Sequence, residues 1–348
     1  MTYGNPNWNE SLERWRAFWN VDCLDRPGIQ LFCPLDSNYQ QSNTRSYTSR
    51  EKWTDPEAFY QTRCQPSEEA RGEGLCVVYP NWCGIETEMG ADIRYDYGTL
   101  WVHPLNGTLE DIDFSRFSIN SKSVTSLLKM LAYAAEHCEQ RLFIGLPPMG
   151  NPGDTIARMR SYEEYCVDLY ENPDLVVKKE LELAEIWNQI FEKVFATLQP
   201  YQNGTCGWLP AWYEGKSLLL EFDFCALISP EHFDLFLPAM EARAASAEKT
   251  IWHLDGPGEL VHLDKILSLP WIHAIQALPG AGIKDPLKWM EVYHKIQAAG
   301  KALYVGNSVT IDQARVLMRE LKPEGLMLPV RARSKEEACC FWEEVNRL

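Results

Sequence analysis

The chain has 348 residues, 45% of them apolar, with 13 Trp, 15 Tyr and 13 Phe, which supports a large buried core and excludes a disordered or fibrous class. A formal net charge of −16 repels polyanions, so neither nucleic acid nor an anionic membrane surface is an expected partner. The 11 cysteines are odd in number and form no CxxC pair, the start MTYGNPNWNESLERW lacks a signal-peptide pattern, and no apolar run reaches the length of a membrane span; a cytoplasmic protein with reduced thiols is expected.

In chain order, Trp8, Leu12, Trp15 and Trp19 form a helical stripe, suited to packing across the bottom of a barrel. Gly28–Cys33 reads as a strand. Residues 34–75 are polar and turn-rich and read as a long surface insertion. Val77–Tyr79 is a weaker strand, and Leu142–Leu146 a clear one that runs into Pro147-Pro148-Met149-Gly150. Residues 174–198 read as one long helix. Leu218–Phe222 is a further strand, followed by a helix opening at Ser229-Pro230-Glu231.

The last hundred residues are the most regular. Apolar runs at Ile251–Asp255, Ala274–Ala277, Ala302–Gly306 and Gly325–Leu328 each precede a loop and an amphipathic helix. Asp285-Pro286 marks one helix start. Thr310 with Gln313 and Ser334 with Glu337 have capping-box spacing. The strands begin about 23 to 28 residues apart, the pitch of repeated right-handed βα units. About eight strands in this length, with no GxGxxG after any of them, predict one (β/α)8 TIM-type barrel over residues 1–348, with an N-terminal helical extension and the polar insertion.

In such a barrel, polar groups at the C-terminal ends of strands face the active-site mouth. That rule selects Glu221 and Asp223, two apart after one strand, and His253 and Asp255, two apart on another. It also selects Gln276, Asn307 and Arg331, with Trp208, Trp212 and Tyr213 just before a strand as pocket walls. His253, Asp255, Asp223 and Glu221 are the catalytic candidates, and His253, Asp255 and Glu221 can in principle ligate a metal. Each has a plainer alternative: His253 and Asp255 can hydrogen-bond each other or loop amides, Arg331 can be a surface charge, and Trp208 and Trp212 can be core. The spacing matches no compact zinc motif.

Three stretches carry a resemblance: Trp252-His253-Leu254-Asp255-Gly256-Pro257-Gly258, Ile275-Gln276-Ala277-Leu278-Pro279-Gly280-Ala281-Gly282, and Ile228-Ser229-Pro230-Glu231-His232-Phe233. Together they resemble the uroporphyrinogen decarboxylase superfamily, with weaker similarity in Leu24-Asp25-Arg26-Pro27 and Asp168-Leu169-Tyr170-Glu171-Asn172-Pro173. The resemblance implies the same barrel. It implies either decarboxylation or methyl exchange with a corrinoid carried by a partner protein. The arginine-rich segment that true decarboxylases use for porphyrinogen carboxylates is absent: Gly28-Ile29-Gln30-Leu31-Phe32-Cys33-Pro34-Leu35 stands there. The zinc-dependent methyltransferases of the family carry a His-x-Cys pair and a later Cys. His253 matches the His, but Asp255 takes the place of the Cys, and the region Pro329 to Arg331 offers no thiol.

The expected function is therefore methyl transfer between a small O- or N-methylated compound and a corrinoid on a partner protein. His253 or Asp223 would protonate the leaving group, and Arg331 would hold a substrate carboxylate. The alternatives are a lyase or decarboxylase acting on a small organic acid through His253 and Asp223, and a non-catalytic binding barrel. The sequence leaves room for zinc and for a homodimer without requiring either.

Overall fold

The computed structural model describes residues 2–35, 54–64, 67–96, 99–149, 151–280, 285–306 and 308–347. The strands are β1 (Gly28–Pro34), β2 (Glu68–Gly72), β3 (Val77–Val78), β4 (Asp92–Asp96), β5 (Thr99–His103), β6 (Phe143–Ile144), β7 (Ser217–Glu221), β8 (Lys249–Asp255), β9 (Ala274–Leu278), β10 (Ala302–Val305) and β11 (Leu326–Arg331). Among the described residues, seven of them form one sheet in the order β2-β1-β11-β10-β9-β8-β7, with β3–β6 and β4–β5 as separate pairs. From β1 to β7 all neighbours in that sheet are parallel; β2 alone runs antiparallel, on the outside of β1. The fold is mixed α/β with a parallel central sheet.

The parallel strands form where the apolar runs predict them, because both faces of the sheet are covered. Trp252, Leu254, Ile275, Leu303 and Leu328 pack into the large cluster beneath the helices. Ile251, Ala274, Ala302 and Met327, one residue out of phase, join a second cluster with Trp8, Trp15 and Trp19. The alternation of period two thus sorts each strand between two cores. The helix Trp8–Trp19 closes the N-terminal ends of the strands as its stripe predicts. The indole of Trp19 donates to the Trp212 carbonyl at 2.7 Å, and that of Trp15 to the Glu73 carbonyl at 3.1 Å.

The helix caps also follow the sequence. Thr310 and Gln313 form a reciprocal capping box. Ser334 accepts from the Glu337 backbone N–H, but Glu337 turns its carboxylate to the N–H of Arg333 instead of completing the box. The long helix runs over Pro173–Leu198. Of residues 34–75, expected as one insertion, 36–53, 65 and 66 lie outside the described residues; the rest contributes regular structure. Pro56–Arg63 is a helix capped by Asp55, and β2 extends the sheet. The charged sequence EEARG hides that strand, since an edge position tolerates charge on a backbone that still pairs. The β4–β5 hairpin and the helix Lys122–His137 also lie in a stretch where the sequence gives no clear pattern. Among the described residues, no helix is long and apolar enough to cross a membrane.

Candidate active site

The site is built where β7, β8 and β9 end. Parallel register sets Glu221 beside His253 and His253 beside Gln276, so three side chains on one face of the sheet form a row. His253 is buried, and its Nδ1 lies 2.6 Å from Gln276 Oε1. The Gln276 amide nitrogen donates to the Gly306 carbonyl at 3.2 Å, which leaves Oε1 as the acceptor toward the histidine. His253 therefore carries a proton on Nδ1, and Nε2 is the nitrogen that can accept or deliver one. Trp208 stands edge-on to the imidazole at 5.0 Å and donates its indole N–H to Glu221 Oε2 at 3.1 Å. One indole thus contacts two of the three members of the row.

Carboxyl groups crowd this end of the sheet. Asp154, on the first turn of the helix Pro152–Arg160 that follows β6, accepts the backbone N–H of Asp223 at 3.2 Å and of Phe224 at 2.9 Å. Glu259, from the turn after β8, is buried. Burial pushes Asp154 well above the ordinary carboxylate range, and the charge of Asp223 adds to it. Burial and Asp223 push Glu259 up to about 9. Glu221 is also raised by burial, with His253 opposing and Asp223 reinforcing the shift. Asp223 rises for the same reason, opposed by His253 and reinforced by Asp255. The counter-charge nearby is Arg158, whose Nη2 lies 2.9 Å from the buried Glu86. Burial alone would weaken its hold on the proton, but Glu86, Cys83 and Asp154 together more than offset this.

Of the residues selected from the sequence, Glu221, Asp223, His253, Asp255, Gln276 and Trp208 gather here. Trp212 and Tyr213 do not. The chain rises from Thr205 to Trp208 and turns back until Tyr213 pairs with Thr205 in an antiparallel bridge. Trp212 is buried at the N-terminal ends of the strands against Trp8, and the Tyr213 hydroxyl reaches Glu248 at 3.2 Å. Arg331 is three strands away from His253 in the sheet, ion-paired with Glu68 and packed over Phe32. Arg333 pairs with Glu337 on the surface. Asn307 lies outside the described residues.

A metal was a second expectation for His253, Asp255 and Glu221. Among the described residues, no three or more His, Cys, Asp or Glu side chains are grouped to hold a metal ion. Cys206 is sealed in the bottom cluster and Cys225 is buried under the turn after β7, so thiols do not complete a zinc site either. Among the described residues the donor set does not fit zinc.

The sequence reading missed Asp154, Glu259, Arg158 and Tyr79. Tyr79, just past β3, is close enough to Glu221 for that charge to add to the rise that burial causes in its phenol. Only Asp154 had a local signal, the Asn151-Pro152 helix start beyond β6. A separate cavity of about 460 Å³ lies between the helix Gly84–Glu88, the β4–β5 hairpin and the helix Lys122–His137, and shares no lining residue with the row.

No family profile and no curated protein matches this sequence. Among solved structures, a methyltransferase from Methanosarcina mazei superposes with a TM-score of 0.60 over 97% of this chain and 98% of that one, at 14% identity. At that identity the likeness establishes a shared fold.

Proposed function

We propose that the chain is a methyltransferase of the uroporphyrinogen decarboxylase type, passing a methyl group between a small O- or N-methylated compound and a corrinoid carried by a partner protein. In this reading the strands form a closed (β/α)8 barrel within a single domain. Hydrogen bonds that bridge the gaps between ladders support closure: Leu146 donates to the Cys206 carbonyl beside β6, the Ser217 N–H reaches Thr205, and Cys76 and Ala70 donate to the carbonyls of Tyr3 and Gly4. The shared fold with a methyltransferase supports the activity.

The observation that carries the reading is the row Gln276–His253–Glu221, with Trp208 set against His253 and bonded to Glu221. A cobalt(I) corrinoid would supply the nucleophile that takes the methyl. The protein's own task is to place the methylated compound and release what remains of it. If the leaving atom is oxygen, it needs a proton. His253 Nε2, with Nδ1 fixed by Gln276, can deliver one, as can a carboxyl whose hold on its proton is strengthened, such as Glu221 or Asp223. Beside the row, Leu227 and Val261 are 60% and 58% exposed on the turns after β7 and β8, an apolar rim that suits a flat macrocycle presented by another protein.

The lyase alternative has less support. A small organic acid needs a cation to hold it, and the arginines nearest the strand ends, Arg158 and Arg331, already face Glu86 and Glu68.

The test is to mix the full-length protein with a cobalt(I) corrinoid and a panel of methyl ethers and methylamines, following loss of the cobalt(I) absorbance. At least one donor should react, and His253→Ala should slow it by about 10²-fold while keeping the fold. If no donor reacts, or if the variant reacts as fast as the parent, the reading is wrong.

A further inference from the structure

We infer that the strand-end site takes an organic cation, so that its substrate carries the transferable methyl on a positively charged nitrogen. For the fate of the methyl this rests on the reading above; the charge of the ligand is argued independently.

Five carboxyl groups from three successive segments of the chain lie about the row: Asp154 after β6, Glu221 and Asp223 at and after the end of β7, Asp255 and Glu259 at and after the end of β8. Against them stand His253 and Arg158, and Arg158 is already paired with Glu86. A second observation points to a ligand. Glu259 is 1% exposed, and its Oε2 has no hydrogen-bond partner among the described residues. The carboxyl is otherwise met by the Asp255 backbone N–H and the Cys225 thiol, and its charged neighbours are Asp223, Asp255 and Asp154. A buried carboxyl oxygen without a donor, facing other carboxyls, is costly unless a cation joins it.

The kind of cation follows from the spacing. These groups do not converge on a point in the way a metal ion requires. They are spread along the strand ends instead, which suits a large ion whose charge is spread over methyl groups and met by a field and by ring faces. Rings are present: Trp208 beside His253, Tyr79 near Glu221, and Tyr162 close to Asp154 and Asp223. With an ammonium donor the chemistry balances without a proton. The C–N bond breaks, its electron pair stays on nitrogen, the methyl carbon bonds to the nucleophilic acceptor, and a neutral amine departs. The carboxyls then act as counter-charge.

Proton linkage gives a distinctive signature. Asp154, Glu221, Asp223 and Glu259 hold their protons more tightly than free carboxyls do, and a cation among them drives those protons off. The charged and ionisable groups that face them are Asp255, His253, Arg158, Tyr79, Tyr162 and Cys225. Binding should therefore release protons and strengthen as pH rises from neutrality toward 9.

The experiment is calorimetric titration of the full-length protein with choline and with its neutral isostere 3,3-dimethylbutan-1-ol, in two buffers of different ionisation enthalpy. Choline should bind about tenfold more tightly or better, with proton release, and Asp223→Asn and Glu259→Gln should each remove most of that preference. Asp223 is exposed, so its variant serves if Glu259→Gln does not fold. Equal binding of the two compounds, no binding of choline, or displacement of choline by micromolar zinc or magnesium would overturn the proposal. The two readings fail separately. Choline that binds but gives no methyl to a cobalt(I) corrinoid sinks methyl transfer and leaves the cation site standing. A neutral ether that is demethylated while choline is ignored does the reverse.

Discussion

Asp154 accepts the backbone N–H of Asp223, so a carboxyl borne on the helix after β6 fixes the direction of the chain as it leaves β7. The same side chain takes the N–H of Phe224, and together the two bonds set where Asp223 stands relative to Glu221 and His253. Asp154→Ala removes both acceptors from a buried place. The expected cost is about 1–3 kcal/mol of stability, with a fall in turnover larger than the change in substrate affinity. Denaturant unfolding and steady-state kinetics on one preparation check both. Unchanged stability would mean that water or another group replaces the carboxyl.

Trp208 lowers the proton affinity of Glu221 through its indole N–H, against the rise caused by burial. Trp208→Phe keeps a ring against His253 but deletes that donor. The Glu221 carboxyl should then hold its proton to a still higher pH. The acid limb of the pH–rate profile should move upward if ionised Glu221 is required, and the range of full activity should extend upward if the protonated form is. A profile identical to the parent's would show that Glu221 does not titrate in the rate.

Glu180 is buried on the long helix and accepts the Tyr165 hydroxyl at 2.6 Å, and burial pushes it up to about 8. The folded state thus binds a proton that the unfolded chain gives up near pH 4.5. The stability it contributes is fully present below that lower value and is lost as pH rises toward 8. Glu180→Gln keeps the acceptor for Tyr165 without the ionisation. The variant should lose part of the parent's decline between pH 5 and 8 and exceed the parent in stability at pH 8. Parallel melting curves across that range would refute the assignment.

Arg243 is fully buried, with Nη1 bonded to Asn188 at 2.6 Å and neither Nε nor Nη2 partnered among the described residues. Burial lowers its proton affinity to about 9. A charge so poorly met is a burden on the fold. Arg243→Met should leave the protein as stable or stabilise it by about 1–4 kcal/mol, read as a higher melting temperature. A marked loss would reveal an anion or ordered water that the guanidinium serves.

The sheet was legible because parallel strands covered on both faces are written as short apolar runs, and Ile251–Asp255 or Ala274–Ala277 admit few other readings. Glu221, His253 and Gln276 followed from position alone, as polar side chains at the ends of those runs. Asp154 and Glu259 were not legible, because they come from a helix and a turn beyond the strand ends, where the chain can point in many directions. Trp208 and Trp212 are four residues apart, yet they belong to opposite ends of the strands. Nothing in their spacing reveals that the chain reverses between them. β2 was hidden by its charges, which an edge strand carries at little cost.

The first strand of the sheet has the last one as its neighbour: β1 lies between β2 and β11, and Ile29 pairs with Leu328. The Trp8–Trp19 helix is likewise seated on Ile251, Ala274, Ala302 and Met327. A nascent chain must therefore carry its opening strand and its most aromatic helix unsheltered until residues near 330 have left the ribosome. Assembly of this sheet completes only after residues near 330 have been made, and a chain stalled or ended before then exposes tryptophans that the folded protein hides. In a cell, such fragments are natural clients for chaperones and proteases.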